Sequence, residues 1–158
     1  ENRLPNDRRP VSLRELGVQA AARLKPEADR RGVSIAVEGG DCPVVGSQSV
    51  LSELVANLLD NAVKYNRPGG RAVVRLSEFP GGARELVVED TGIGISPEDQ
   101  EHVFERFFRA DRSRSDEGGT GLGLSIVKHA ALAHGASVRL ESEPGVGTRV
   151  TVRFPAKD

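Results

Sequence analysis

Four short stretches of this chain combine residue types and spacings that could bind a ligand. The first is Asp90-Thr-Gly-Ile-Gly-Ile-Ser96, directly after the apolar run Leu86-Val-Val-Glu89, so Asp90 should stand at a strand end. Its two glycines let the backbone turn tightly and approach a ligand with no Cβ in the way. A carboxylate beside such backbone suits a donor-rich small molecule such as a purine base. Asp and Gly also form turns, so a plain hairpin turn is the competing reading. The second stretch is Glu53, Asn57 and Asn61, with Lys64 continuing the stripe. Spacing by four puts these polar groups on one helix face. Asn is a poor helix former, so the stripe is either a solvated face or a set of oxygen ligands for a hard cation. Magnesium prefers oxygen, keeps several waters and is often shared with substrate phosphates; Lys64 would then meet a phosphate.

The third stretch, Gly118-Gly-Thr-Gly-Leu-Gly-Leu124, leads into a helix. Glycine-rich backbone there offers free N–H groups and a favourable dipole to an anion, or serves as a flexible linker. It is not a P-loop, because the G-x-x-x-x-G-K-[ST] pattern is missing. The fourth, Gly145-Val-Gly-Thr148, reads on its own as a hairpin turn.

The elements that must position these groups follow from pattern. Ser12-Leu-Arg-Glu15 is a capping box that opens a helix. Pro26 is expected to kink or end it, although Glu27 to Arg31 could continue it, and Gly32 closes it. Ser47 to Tyr65 carries apolar residues at helical spacing along its whole length and is the strongest helix. Ser96 and Pro97 start another, expected to run to about Phe108, and Leu122 to His134 form the last. Strands are expected over Val33–Val37, Pro43–Val45, Arg71–Phe79, Arg84–Asp90, Ser137–Glu143 and Thr148–Phe154. Residues 1–11 are polar, contain Pro5 and Pro10, and are expected to be a linker; Arg109 to Thr120 should be an exposed loop. The order predicts the α+β class, with helices on a mainly antiparallel sheet.

Length and composition bound the rest. The chain has 158 residues, enough for one domain with a sizeable core. A net charge of −1 and 4% aromatic residues argue against nucleic acid as a partner, which needs basic patches or stacking platforms. The single cysteine, Cys42, cannot form an internal disulfide or a zinc site. No apolar run approaches the roughly 18 residues of a membrane span. The absence of methionine reads as an excised or processed piece, so this says nothing about a parent protein.

Taken together, the stretches resemble the catalytic, ATP-binding domain of sensor histidine kinases. Asn57-Leu-Leu-Asp-Asn-Ala-Val-Lys-Tyr65 is similar to the N box, Asp90-Thr-Gly-Ile-Gly94 to the G1 box and Val103-Phe-Glu-Arg-Phe-Phe-Arg109 to the F box. Gly119-Thr-Gly-Leu-Gly-Leu124 is similar to the G2 box and Gly145-Val-Gly-Thr148 to the last glycine motif. The order is the family's, and the likeness covers about residues 12–155. Wider relatives are the ATPase domains of gyrase, Hsp90 and MutL, which share the Bergerat fold.

The resemblance implies an α/β sandwich of about three main helices on a mixed, mainly antiparallel sheet of about five strands, with ATP and Mg²⁺ as ligands. It makes Asn61 the Mg²⁺ ligand, with Asn57 supporting the metal or phosphates, and sets Lys64 and Tyr65 at the phosphates and ribose. Asp90 would accept a hydrogen bond from the adenine amino group, helped by a water on Thr148. Gly92 and Gly94 would give the base room, with Ile95 in the same site. Residues 109–120 would form the ATP lid, and Gly121, Leu122, Gly123 and Leu124 would offer N–H groups to the phosphates. Phe108, Arg109 and Thr120 join the nucleotide site, Arg112 and Arg114 are further candidates, and Phe104, Phe107 and Phe108 would pack under the lid.

The family's phosphate acceptor lies upstream, in a His-Glu-x-x-x-Pro-like box on a dimerising helical hairpin. His102, His129 and His134 all lack that context. The resemblance therefore implies a fragment of residues 12–158 that binds ATP without its own histidine, with 1–11 as the tail of the hairpin. It also implies a histidine-bearing dimerisation domain and a response regulator as partners. The fragment would be monomeric, its parent homodimeric, and the setting cytoplasmic beneath a membrane-anchored parent. Two other readings stand beside it: a non-catalytic nucleotide-binding module or gyrase-type ATPase, and an aspartic protease drawn from Asp90-Thr-Gly92, whose second carboxylate a dimer could supply. Gyrase-type relatives carry a glutamate base where this chain has Asn57, which implies poor activation of water here. Asn57→Glu is expected to raise ATP hydrolysis by the chain; unchanged hydrolysis with binding intact sinks that explanation.

Overall fold

Alternation of apolar and charged residues along five segments builds one sheet with an apolar face and a charged face. A computed structural model of the chain describes residues 8–105 and 123–156. The expected lid positions Phe107, Phe108, Arg109, Arg112, Arg114, Thr120, Gly121 and Leu122 lie outside the described residues.

The order is β1 (Arg8–Ser12), α1 (Leu13–Arg31), β2 (Ser34–Gly39), β3 (Pro43–Ser47), α2 (Gln48–Lys64), β4 (Arg71–Glu78), β5 (Arg84–Asp90), α3 (Pro97–Gln100), α4 (Leu124–Ala133), β6 (Ser137–Glu143) and β7 (Gly147–Phe154). The main sheet runs β2-β4-β5-β7-β6. β2 is parallel to β4 and every other pairing is antiparallel. With α1, α2 and α4 as the main helices, this is the expected α+β sandwich.

Two local results differ from the sequence expectations, at β1 and α3, and a third decides the open alternative at Pro26. Arg8–Ser12 is a strand, paired antiparallel with β3 so that Val11 faces Val44, and Val11 is buried; the expected linker ends earlier. α1 continues through Pro26 to a left-handed cap at Gly32, whose N–H reaches Ala28 and Asp29 carbonyls. Pro26 removes the backbone bond to the Ala22 carbonyl, and the turn that follows it carries ion pairs of Glu27 with Arg30 and Arg31 and of Lys25 with Asp29. α3 is a single turn capped by Ser96, followed by turns through Glu105, not a helix reaching Phe108.

Parity places the core. Ala72, Val74 and Leu76 of β4, Leu86 and Val88 of β5, and Val150 and Val152 of β7 are buried beneath the helices. α2 supplies Leu51, Leu54, Val55, Leu58, Leu59, Ala62 and Val63 to the same core. Asp90 has the parity of Leu86 and Val88, so β5 ends with a carboxylate on the helix-covered side. The opposite face carries a charge ladder across all five strands. Arg75 Nε donates to Glu38 at 3.2 Å, Arg75 also pairs with Glu89, and Arg149 Nη2 reaches Glu89 at 3.2 Å; Arg149 further approaches Glu141. Each exposed pair stabilises little, but a one-residue slip of any strand would exchange its core and charged faces. The ladder thus helps fix the register that brings Asp90 opposite Thr148.

Candidate functional site

The C-terminal end of β5 lies between β4 and β7, where Asp90 pairs with Ala72 on one side and Thr148 on the other. Asp90 Oδ1 accepts the Gly92 N–H at 2.8 Å and the Thr148 N–H at 3.3 Å. Burial pushes the Asp90 carboxyl up to about 6, assisted by neighbouring Glu89 and opposed by the two N–H bonds and by the Arg67 charge. A cleft opens beside it, lined by Asn61, Tyr65, Asp90, Gly94, Ile95, Leu124 and Thr148. All seven are residues expected from sequence. Leu58, Ala62, Val88, Leu140 and Val150 add apolar wall. Asp90 is the sole carboxylate among the described lining residues, so among those residues the cleft does not offer the paired carboxylates that a peptidase needs.

The loop after Asp90 threads a narrow gap, which explains its glycines. A Cβ on Gly92 would lie 2.2 Å from the Tyr65 carbonyl oxygen, and one on Gly94, at φ 75°, would lie 2.2 Å from that of Glu143. Protein backbone, from the end of α2 and from the β6–β7 hairpin, is what these glycines admit. Ile93 N donates to the Tyr65 carbonyl at 3.0 Å and Gly145 N to the Ile93 carbonyl at 2.8 Å.

The polar stripe on α2 divides among three places. Asn61 lines the cleft. Asn57 Nδ2 donates to the Glu53 carbonyl at 2.8 Å, while its Oδ1 lies against Gly123, the left-handed N-cap residue of α4. Lys64 pairs with Asp60 at 3.3 Å. Asn57 thus meets the end of the glycine-rich stretch, and Asn61 shares the cleft with Asp90. Phe104 packs against the core, with Lys128 Nζ 5.5 Å from its ring.

Sequence reasoning missed Ser142. Its Oγ donates to the Gly147 carbonyl at 3.0 Å, accepts from Ile95 N at 2.8 Å and lies 2.7 Å from Thr148 Oγ1. It therefore ties the Asp90 loop to the hairpin behind Thr148. The available signal was parity: Ser142 follows Val138 and Leu140 on the inward face of β6, where a hydroxyl requires a partner.

The raised Asp90 value has a consequence for stability. Between about pH 4 and about pH 6 the folded chain holds a proton that the unfolded chain has released. Stability therefore falls as pH rises through that window and stays lower above it. Asp90→Asn is expected to stabilise the ligand-free chain by about 1–3 kcal/mol at pH 7, with no gain below about pH 4. Denaturant titrations at the two pH values check this, and an Asn variant no more stable at pH 7 than wild type contradicts it.

Comparison with known proteins agrees with this geometry. Residues 46–158 match the family described as Histidine kinase-, DNA gyrase B-, and HSP90-like ATPase. The chain is 44% identical over 158 residues to the Sensor-like histidine kinase SenX3 of Mycolicibacterium smegmatis, covering 97% of this chain and 40% of that protein. The solved structure of a mycobacterial sensor histidine kinase, MprB, superposes with a TM-score of 0.82 at 37% identity, covering 94% of this chain and 99% of that one. Full-length ShkA in complex with AMPPNP is similar at TM-score 0.80 and 28% identity, over 96% of this chain and 32% of ShkA. The chain thus spans about 40% of the length of the curated relative SenX3. Sequence match and superposition meet on the same residues, and the chain belongs to the histidine kinase-, DNA gyrase B- and HSP90-like ATPases, among the catalytic domains of sensor histidine kinases.

Proposed function

We propose that this chain binds Mg-ATP in the cleft beside Asp90 and donates the γ-phosphoryl group to a histidine on a separate dimerisation domain. The observation that carries the reading is the half-buried Asp90 carboxylate at the edge of the cleft. Both backbone bonds to Asp90 fall on Oδ1, which leaves Oδ2 for a ligand donor such as the adenine amino group. A water on Thr148 would complete recognition of the base, and Gly92, Gly94 and Ile95 shape its loop.

Asn61 and Asn57 fit the hard-cation role by chemistry. Their amide oxygens suit Mg²⁺, which takes few protein ligands and leaves its charge for phosphates. Among the described residues no group of three His, Cys, Asp or Glu side chains could hold a metal. Bound Mg²⁺ would neutralise charge on the phosphates. Lys64, Tyr65, Phe108, Arg109, Thr120 and the N–H groups from Gly121 to Leu124 would hold the phosphates and ribose, and the attacking histidine nitrogen would displace ADP in line.

The acceptor histidine belongs in this reading to a dimerisation hairpin upstream. Residues 1–11 lead in from it, the last four of them paired into β1, and residues 12–158 form the catalytic domain. The parent would be a homodimer that serves a response regulator, with its catalytic domain in the cytoplasm and its anchor in the membrane. Among the described residues no helix is long and apolar enough to cross a membrane.

Calorimetry of ATP binding with and without Mg²⁺ tests the reading. Wild type should bind, Mg²⁺ should tighten binding, and Asp90→Asn should lose it while staying folded. Wild-type affinity should also weaken below about pH 6, where Asp90 takes up a proton and that oxygen no longer accepts. Adding a histidine-bearing hairpin should then give phosphohistidine; binding without transfer favours a nucleotide-binding module. Failure to bind any adenine nucleotide rules out both.

A further inference from the structure

The two donors that orient Asp90 belong to two separate segments, the loop after β5 and the start of β7, and one side chain bridges that loop to the turn that leads into β7. Arg67 Nη2 donates to the Gly92 carbonyl at 2.5 Å and to the Gly145 carbonyl at 2.8 Å. Gly92 gives its N–H to Asp90, and Gly145 sits in the hairpin that delivers the Thr148 N–H to the same oxygen. A guanidinium has forked donors, so two carbonyls from different segments can share one head group.

Arg67 itself stands on a fixed base. Asn66 Nδ2 donates to the Ala62 carbonyl at 3.0 Å and the Arg71 carbonyl at 2.9 Å, and Asn66 Oδ1 accepts the Arg67 N–H at 2.8 Å. The Arg71 N–H donates to Thr91 Oγ1 at 2.9 Å, and the Thr91 N–H to the Arg71 carbonyl at 3.1 Å. The end of α2, the start of β4 and the Asp90 loop are thereby held as one unit, from which Arg67 reaches the hairpin.

We propose that Arg67 is a positioning residue for nucleotide binding, clamping the Asp90 loop to the β6–β7 hairpin so that Gly92 and Thr148 keep Asp90 aimed into the cleft. The role in binding rests on the reading of the cleft as an adenine-nucleotide site; the clamp itself does not. The Arg67 charge also favours the Asp90 carboxylate against burial, so clamp and charge act in the same direction.

Two measurements on the 158-residue chain separate the clamp from the binding role. In the ligand-free chain, hydrogen exchange at the Gly92 and Thr148 amides should speed up about tenfold in Arg67→Ala and less in Arg67→Lys, a size expected for losing one charge-assisted bond. Exchange in the cores of α2 and β4 should be unchanged, which shows that the variant folds. Unchanged exchange at Gly92 and Thr148 overturns the clamp. In binding, Arg67→Ala should weaken ATP, ADP and adenosine by a common factor of about ten, with partial rescue by Arg67→Lys. Equal affinity in wild type and Arg67→Ala overturns the positioning role. Accelerated exchange in a chain whose wild type binds no adenine nucleotide supports the clamp and rejects the nucleotide reading.

Discussion

A carboxylate loses more on leaving water than an apolar side chain gains, and Asp90 is half-buried at the end of the central strand. Two backbone N–H groups on one oxygen do not restore what hydration gave, because burial still pushes the carboxyl up to about 6. Both of those bonds fall on Oδ1, so a ligand that brings its own donor would complete the carboxylate's bonding at Oδ2. Much of the surrounding structure serves this arrangement. The register of β5 between β4 and β7 sets the carboxylate against Thr148. The apolar walls from Leu58, Val88, Leu140 and Val150 keep the surroundings poor in water, which strengthens any bond a ligand makes there.

Holding the carboxylate requires three backbone segments to meet in little space. The end of α2, the loop after Asp90 and the β6–β7 hairpin come so close that Gly92 and Gly94 have no room for a Cβ. Ser142, Gln100 and Arg67 then fasten the segments with side-chain bonds; Gln100 Nε2 reaches both the Ile95 carbonyl at 2.8 Å and the Ser142 carbonyl at 3.0 Å. α2 contributes to both ends of the site, since Asn61 lines the cleft while Asn57 meets the cap of α4 at Gly123. This is the arrangement a domain needs if one ligand is to touch a base-binding end and a phosphate-binding end together.

What the sequence revealed and what it hid divide along the range of the interactions. α2 was legible because its apolar residues recur at helical spacing, and the caps at Ser12 and Ser47 act within three residues. That Asp90, Asn61, Tyr65 and Thr148 come together at one cleft was legible because they sit in stretches whose order is itself a signal. β1 was not, since Arg8-Arg-Pro-Val-Ser12 shows no alternation and its partner β3 lies more than thirty residues away. α1 persists through Pro26 at the loss of one backbone bond, an outcome that the proline by itself leaves open. Ser142 and Arg67 act across 47 and 78 residues respectively, and no local pattern marks such bonds. The charge ladder could have been found, because Arg75 stands between Val74 and Leu76, Glu89 follows Val88 and Arg149 precedes Val150 on their strands.

In the proposed function Asp90 is a half-buried acceptor whose bonding an adenine base completes. Observing the Asp90 side-chain carboxyl by ¹³C NMR across a pH titration tests it directly, first on the empty chain and then with Mg-ATP. The account predicts a midpoint near 6 in the empty chain and a clear downward move once nucleotide is bound. A midpoint at the ordinary aspartate value near 3.8 without ligand, or one that nucleotide leaves in place, would contradict it.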